Sequence, residues 1–343
     1  MAEPTVISTP KPRLLPWHAE VAEHLRAAWS TRHLPHALML QGADGLGKGH
    51  LAAWLTAAVL CEQSSDALTY CGKCTSCTLI AAGSHPDLLW VMPEEDKQQI
   101  SVDQIRATSE RLTKTSFRRG YKIAVVDPAH QMTPSAANGL LKTLEEPTPE
   151  SLLILVTSRS SALLPTVRSR CQKITVRRPT TAESLRWLEQ ETGQAADPAL
   201  LEFAGGAPLR AMQFAGGRFA ELDTEMQRGV AQLLSGQSDV TQVASEWAKE
   251  ALVERLTWLD LWLMSAAREA ISGTAERVTF PARSAHLPSL SRTLNITGLY
   301  SMIDRARLLK AQLARTALQR ELAVESWLVA LLQTLGAAPA SER

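Results

Sequence analysis

The stretch QGADGLGKGH, from Gln41 to His50, has nearly the spacing of a phosphate-binding loop. Such a loop lies between a strand and a helix and has the form Gly, four residues, Gly-Lys, then Ser or Thr. Gly42, Gly47 and Lys48 fit this form, and Gly45 between them completes the candidate nucleotide-binding glycines. Backbone N–H groups at the start of the helix attract phosphate oxygens, and the lysine adds a positive charge. The alternative is a tight strand-to-helix turn that needs glycine for backbone freedom.

Two residues needed for magnesium-dependent hydrolysis are absent. Position 49 is glycine, so the hydroxyl that would bind Mg²⁺ is missing. The apolar run IAVVD ends at Asp127, a candidate magnesium ligand, but Pro128 follows in place of the glutamate that activates water. A general base is worth roughly 100- to 10,000-fold in rate. We therefore predict very slow or absent ATP hydrolysis, whereas binding of ATP or ADP without turnover stays open. Asp127 could also be a simple strand-end turn residue.

Four of the five cysteines lie close together in the sequence. Cys61, Cys71, Cys74 and Cys77 fall within the segment CEQSSDALTYCGKCTSC, and Gly72 allows a tight turn between them. Four thiolates complete a tetrahedral site with no open position for water, which is typical of structural zinc. We therefore predict a structural zinc module over residues 61–77. An iron–sulfur cluster and free buried thiols are the alternatives.

A pair of arginines lies in LLPTVRSRCQ, between two predicted strands. Arg168 and Arg170 are expected in a loop at the edge of the sheet. An exposed arginine is usually only a solvated charge. An arginine that reaches a neighbour's nucleotide can instead contribute strongly to phosphoryl transfer.

The first half of the chain alternates between predicted strands and helices. This order indicates a parallel sheet covered by helices on both faces. Residues 1–16 contain four prolines and little pattern, and we expect them to be a loose lead-in. The predicted strands are 36–41, 87–92, 121–127, 151–157 and 172–176, and the predicted helices are 18–33, 50–61, 101–114 and 133–146.

After Pro179 the sequence predicts only helices. Short helical pieces extend to about residue 217, and longer helices follow, with a connection over 273–297. We predict three domains: an α/β nucleotide-binding-like domain over 1–177, a small helical lid domain over 178–217 and an all-α C-terminal domain over 218–343.

The bulk properties exclude some classes of protein. The chain has 343 residues, 45% apolar residues and a net charge of +1, so no overall field attracts it to nucleic acid or membrane. No signal-peptide pattern opens the sequence, and no apolar run reaches the roughly 20 residues of a membrane span. We expect a cytoplasmic protein without membrane contact.

Four motifs, in the right order, resemble bacterial clamp-loader subunits of the AAA+ class. They are GSHPD at 83–87, ISVDQIR at 100–106, ANGLLKTLEEP at 137–147 and LLPTVRSRC at 163–171. The resemblance implies a RecA-like parallel sheet of the P-loop type, a helical lid and a helical collar that holds a five-subunit ring together. Such rings use ATP to open a sliding clamp and place it on primed DNA.

The resemblance also assigns partners and a catalytic residue. The missing hydroxyl, the missing glutamate and the cysteine module are similar to the member that does not hydrolyse ATP. Its Ser-Arg-Cys motif matches Ser169, Arg170 and Cys171, which makes Arg170 the expected arginine finger for a neighbouring subunit. Gamma/tau ATPase subunits, a delta subunit, the sliding clamp and primer-template DNA are the implied partners, and replication forks at the nucleoid are the implied location.

Two other functions compete with this reading. An active AAA+ ATPase subunit is disfavoured by Gly49 and Pro128. A zinc-dependent nucleic-acid binder would need a basic face with aromatic residues near the cysteines, where the only charged residues are Lys73, Glu62 and Asp66.

Overall fold

The computed structural model describes residues 10–64, 67–95, 97–118, 120–215, 218–272, 296–313 and 319–335. The chain divides into two compact units, residues 1–180 and 181–343. The division lies within three residues of the boundary predicted after residue 177. Both predicted domain boundaries, after residues 177 and 217, stay predictions.

A five-stranded parallel sheet forms the centre of the first unit, as the alternating pattern predicts. The strand order is β2-β3-β4-β1-β5. The strands are β1 (Ala37–Gln41), β2 (Leu88–Val91), β3 (Lys122–Val126), β4 (Ser151–Thr157) and β5 (Gln172–Thr175). All residues of β3 and β4 are buried, in keeping with their unbroken apolar runs, whereas the edge strand β5 is largely exposed. The ends of β1, β3 and β4 meet at one edge of the sheet, which brings the loops that follow them together.

Helices pack against this sheet and complete its core. Helix α2 contacts β1 and β4, and α4 contacts β2 and β3. The helices are α1 (Ala19–Ser30), α2 (Lys48–Leu60), α3 (Thr75–Ala81), α4 (Val102–Thr113), α5 (Pro134–Gly139), α6 (Leu141–Glu145) and α7 (Pro165–Arg168). Helix α4 begins at a capping box, in which Ser101 accepts from the Gln104 N–H and the Gln104 side chain accepts from the Ser101 N–H.

The structure corrects two expectations in this unit. The single helix predicted over 133–146 is broken at Leu140, directly after Gly139, a residue that weakens helices. A Cβ at Gly139 would lie 3.7 and 3.8 Å from side-chain carbons of Val102 and Ile105, which are ordinary van der Waals distances, so the packing of α4 against α5 does not require glycine here. The lead-in expected to be loose is packed from Pro10 onward: Leu15 is buried, and the Lys11 and Pro12 carbonyls accept hydrogen bonds from His50 and Tyr70.

The second unit is helical, as predicted, and has one apolar core. That core contains residues from Ala199 to Leu332 and includes two stacked tryptophans, Trp258 and Trp262. The helices are α8 (Thr181–Thr192), α9 (Pro198–Phe203), α10 (Pro208–Gln213), α11 (Arg218–Leu234), α12 (Val240–Lys249), α13 (Leu252–Ser272), α14 (Ile296–Leu313) and α15 (Arg320–Thr334). Residues 273–295 of the predicted connection lie outside the described residues. Its last two residues, 296 and 297, belong instead to the start of α14. Among the described residues, no helix is both long enough and apolar enough to span a membrane.

Candidate functional site

The glycine loop lies between β1 and α2, where a phosphate-binding loop belongs. Gly45 and Gly47 both have φ +75°, a left-handed conformation that favours glycine, and Gly47 caps the N-terminus of α2. A Cβ at Gly42 would lie 2.8 Å from the Val176 carbonyl oxygen, so only glycine fits there without a shift. The loop therefore has the backbone shape that its sequence predicts.

Lys48 is buried and directed at its own loop. Its Nζ donates to the Ala43 carbonyl at 2.7 Å and lies 3.9 Å from Asp44 Oδ1. Burial lowers the pKa of Lys48, and the charges of Asp44 and Asp127 oppose that shift. Burial raises the pKa of Asp127 to about 6. The two residues expected to face phosphate and magnesium thus lie together at the strand ends.

Position 49 has little room for a side chain. A Cβ built on Gly49 would lie 3.1 Å from Asp127 Oδ2 and 3.0 Å from Pro10 Cγ. These distances are shorter than ordinary van der Waals contacts. Glycine at this position therefore removes the magnesium-binding hydroxyl and also allows Pro10 to approach the loop.

Residues 10–18, which we call the N-terminal strap, are joined by hydrogen bonds to the glycine loop and to the start of α2. Trp17 Nε1 and His18 Nε2 both donate to the Leu46 carbonyl, at 2.9 and 2.8 Å. The Leu15 N–H donates to His18 Nδ1, which fixes the proton of this imidazole on Nε2. His50 Nδ1 lies 2.9 Å from the Lys11 carbonyl oxygen and bonds the strap to α2.

The sequence did not reveal the strap. It also did not reveal a polar pair formed by Thr157 and His130. Thr157, the last residue of β4, is buried, and its Oγ1 lies 3.2 Å from His130 Nδ1 and accepts from the Arg159 N–H. The signal for Thr157 was present, because a polar residue ends an apolar strand next to β1. The sequence signal for the strap was weaker, because it consisted only of two large apolar residues, Leu15 and Trp17, in a segment rich in proline.

The four predicted cysteines come together in one cluster. Their sulfur atoms all lie within 4.8 Å of one another, and the Sγ atoms of Cys61 and Cys74 are 3.9 Å apart. Cys61 follows the end of α2, and Cys74 caps the N-terminus of α3. Gly72 has φ +71°, which confirms the tight turn between the thiols. The fifth cysteine, Cys171, is buried and belongs to the sheet core.

The geometry of this cluster fits a tetrahedral metal ion. A zinc ion with sulfur ligands at about 2.3 Å would hold its sulfurs about 3.8 Å apart, close to the Cys61–Cys74 separation. The Cys71 Sγ accepts from the Cys74 N–H at 3.3 Å, and the Cys74 Sγ accepts from the Cys77 N–H at 3.5 Å. Backbone N–H groups, first that of Lys73, lower the pKa of Cys71 to about 6. The cluster can therefore bind a metal such as zinc.

Arg170 is partly exposed and fixed by two contacts. Its Nη2 lies 2.6 Å from Glu145 Oε1, and its Nη1 donates to the Thr166 carbonyl at 3.0 Å. The side chain keeps 37% of its surface exposed. Arg168, by contrast, has a buried Nε without a hydrogen-bond partner in the described part of the chain. Of the two predicted arginines, Arg170 is the one whose guanidinium has a defined position near the surface.

The parallel sheet, the glycine loop after β1 and the acidic residue after β3 define an α/β fold of the P-loop type. Two family profiles match the chain: "DNA polymerase III, delta subunit" over residues 17–180, and "DNA polymerase III, delta subunit, C terminal" over residues 225–333. DNA polymerase III subunit delta' of Pseudomonas aeruginosa is 34% identical over 75% of this chain and 80% of its own length. The chain therefore belongs to the DNA polymerase III delta' family of clamp-loader subunits.

Two further proteins are similar to this chain. The delta' subunit of Escherichia coli K12 is 33% identical over 75% of this chain and 77% of its own length. A solved structure of a DNA polymerase III gamma subunit-related protein from Thermotoga maritima covers 92% of this chain and 99% of its own, with 16% identity and a TM-score of 0.45.

Proposed function

We propose that this chain is a non-hydrolysing subunit of the DNA polymerase III clamp loader that supplies Arg170 to the ATP site of a neighbouring ATPase subunit. The observation that carries the proposal is the partly exposed guanidinium of Arg170, fixed by Glu145 and Thr166. A planar guanidinium with a fixed position stabilises the charge that develops on a transferred phosphoryl group. Among the described residues, these two contacts use only part of its donor set.

The chain's own phosphate site supports a role without hydrolysis. Gly49 provides no hydroxyl for magnesium, and Pro10 approaches the place where a side chain would begin. Pro128 follows Asp127 where a base would be needed. Lys48 donates to its own loop instead of projecting from it. A site with these features lacks the magnesium-binding hydroxyl and a water-activating group.

Zinc in the cysteine module would have a structural role and hold the segments of the module together. Tyr70, within the module, donates its hydroxyl to the Pro12 carbonyl of the strap at 3.0 Å. Glu62 accepts from Ser76 and pairs with Arg118, which lies beyond α4. The module therefore connects the strap to a distant loop, and four sulfur ligands leave no position for a reacting water.

The proposed partners follow from this role. Gamma/tau ATPase subunits and a delta subunit would complete a hetero-pentameric ring, with helices α11 to α15 in the collar. The ring would act on the sliding clamp and on primer-template DNA, in the cytoplasm at replication forks. The chain would thus be part of a DNA-directed DNA polymerase holoenzyme, a nucleotidyltransferase, without transferring nucleotides itself.

The test is Arg170→Ala in the reconstituted clamp loader. Assembly should be unchanged, and ATP turnover at the neighbouring site should fall by a factor on the order of 1,000, the lower range for an arginine finger. Arg106→Ala is the matched control, because Arg106 is an exposed arginine of the same unit whose one ion pair among the described residues is with Asp103. Normal DNA-stimulated turnover with Arg170→Ala would refute the proposal.

An active ATPase subunit is the second candidate function. It is favoured by the retained loop geometry at Gly45 and Gly47 and by the proximity of Lys48 to Asp127. Phosphate release by the isolated chain decides between the two. Steady release that Lys48→Ala abolishes would establish the ATPase, whereas no release above that of Lys48→Ala supports the non-hydrolysing subunit.

A further inference from the structure

The ion pair between Arg170 and Glu145 joins two short helices. Glu145 is the last residue of α6, and Arg170 lies two residues after the end of α7. Glu145 Oε1 is 2.6 Å from Nη2 of Arg170, while the Thr166 carbonyl accepts from Nη1 at 3.0 Å. The guanidinium is therefore held at both terminal nitrogens. Three of its five N–H groups stay outside these two contacts.

The positions of both partners are set by the core. Leu144, which precedes Glu145, and Cys171, which follows Arg170, are buried members of one apolar cluster. Val167 of α7 belongs to the same cluster and is fully buried. An ordinary surface ion pair must order two long side chains on independent supports, which is why most contribute little. Here the packed backbone already places the two stems next to each other.

We propose that Glu145 is a positioning residue for the trans-acting Arg170. This inference rests on the proposed function of Arg170. The carboxylate fixes the plane of the guanidinium before the neighbouring subunit binds, so that its free N–H groups face the γ-phosphate of a nucleoside triphosphate bound there. Pre-organised donors lower the barrier because they need no reorientation as charge develops in the transition state.

The choice of substitution separates charge from shape. Glu145→Gln keeps the length and an acceptor oxygen but loses the negative charge, which weakens the hydrogen bond to Arg170. Glu145→Asp keeps the charge on a shorter stem. Glu146→Gln is the matched control, since it makes the same change one residue later, where α6 has ended.

The experiment measures steady-state ATP hydrolysis by the reconstituted clamp loader with primed DNA. For the site that Arg170 serves, we expect Glu145→Gln to lower kcat about tenfold with little change in the KM for ATP, and Glu145→Asp to restore part of the loss. Glu146→Gln should leave kcat unchanged. Glu145→Gln combined with Arg170→Ala should be no slower than Arg170→Ala alone, because the carboxylate acts only through the arginine.

Each outcome bears on one of the two proposals. An unchanged or increased kcat with Glu145→Gln, while Arg170→Ala is slow, would overturn the positioning role and leave the arginine finger intact. If the clamp loader with Arg170→Ala hydrolyses ATP at the normal rate, the proposed function of Arg170 is itself refuted. A loss in the double variant beyond that of Arg170→Ala would show that Glu145 acts elsewhere, for example in assembly, and would also refute the inference.

Discussion

Pro10 and Gly49 approach each other so closely that a Cβ on Gly49 would lie 3.0 Å from Pro10 Cγ. The two residues are far apart in sequence, and the contact between them is purely steric. Their contact nevertheless couples two features of the chain. The glycine that removes the magnesium-binding hydroxyl is also the residue that lets the strap pass over the start of α2.

The contact predicts that Gly49→Ser alone lowers stability. The new Cβ is crowded by Pro10 Cγ and by Asp127 Oδ2, and such overpacking costs about 1–3 kcal/mol. Pro10→Ala removes Cγ, so the same serine should cost less in that background. Urea unfolding of the protein, the two single variants and the double variant measures this coupling. Equal costs in both backgrounds would show that Pro10 does not crowd position 49.

Gly120 offers a matched control for the same substitution. A Cβ at Gly120 would meet no atom within 4 Å. Gly120→Ser should therefore change the free energy of unfolding by about 0.5 kcal/mol or less, as is usual for surface substitutions. A similar loss for both serine variants would mean that serine itself, and not crowding, is responsible.

The cysteine cluster predicts bound metal and metal-dependent stability. Cys74→Ser should lose about one zinc per chain, because one of four ligands is missing, and should unfold at lower urea concentration. Serine is a good N-cap, so the capping bond to the Cys77 N–H can persist and the loss reports the metal. Zinc content is measured by elemental analysis of purified protein. Cys171→Ala, at the cysteine outside the cluster, should retain its zinc.

Unchanged zinc content in Cys74→Ser would contradict the four-sulfur site. Iron with visible absorption in the purified protein would favour the iron–sulfur alternative. Metal-free protein with four reactive thiols would favour free cysteines instead.

The strands and most helices could be predicted because local signals agreed with the tertiary structure. β4 has the predicted bounds, since residues 152–156 are an unbroken apolar run between two polar residues, Ser151 and Thr157. α4 begins at its capping box. The break at Leu140 was not predicted, because a single glycine such as Gly139 weakens a helix without always ending it.

The parts of the site whose functional residues lie in one short segment could be predicted. The glycine loop and the cysteine module are each contained in one short segment, and both come together in the structure. The strap was missed because its role depends on contacts between Trp17 and Leu46, or between Pro12 and Tyr70, that no local pattern reveals. The Glu145–Arg170 pair was missed for the same reason.

His18 predicts a pH-dependent stability of the strap. Burial lowers its pKa from 6.5 to about 4, so the unfolded chain binds more protons between these values. The stabilisation that neutral His18 provides is therefore complete above pH 6.5 and declines by about 3 kcal/mol on acidification to pH 4. Asp127, whose pKa is raised to about 6, has the opposite effect, so a comparison of variants is needed. His18→Gln keeps a donor for Leu46 and an acceptor for Leu15 but does not titrate. Its deficit in the free energy of unfolding should shrink from pH 7 to pH 4, and a constant deficit would contradict the prediction.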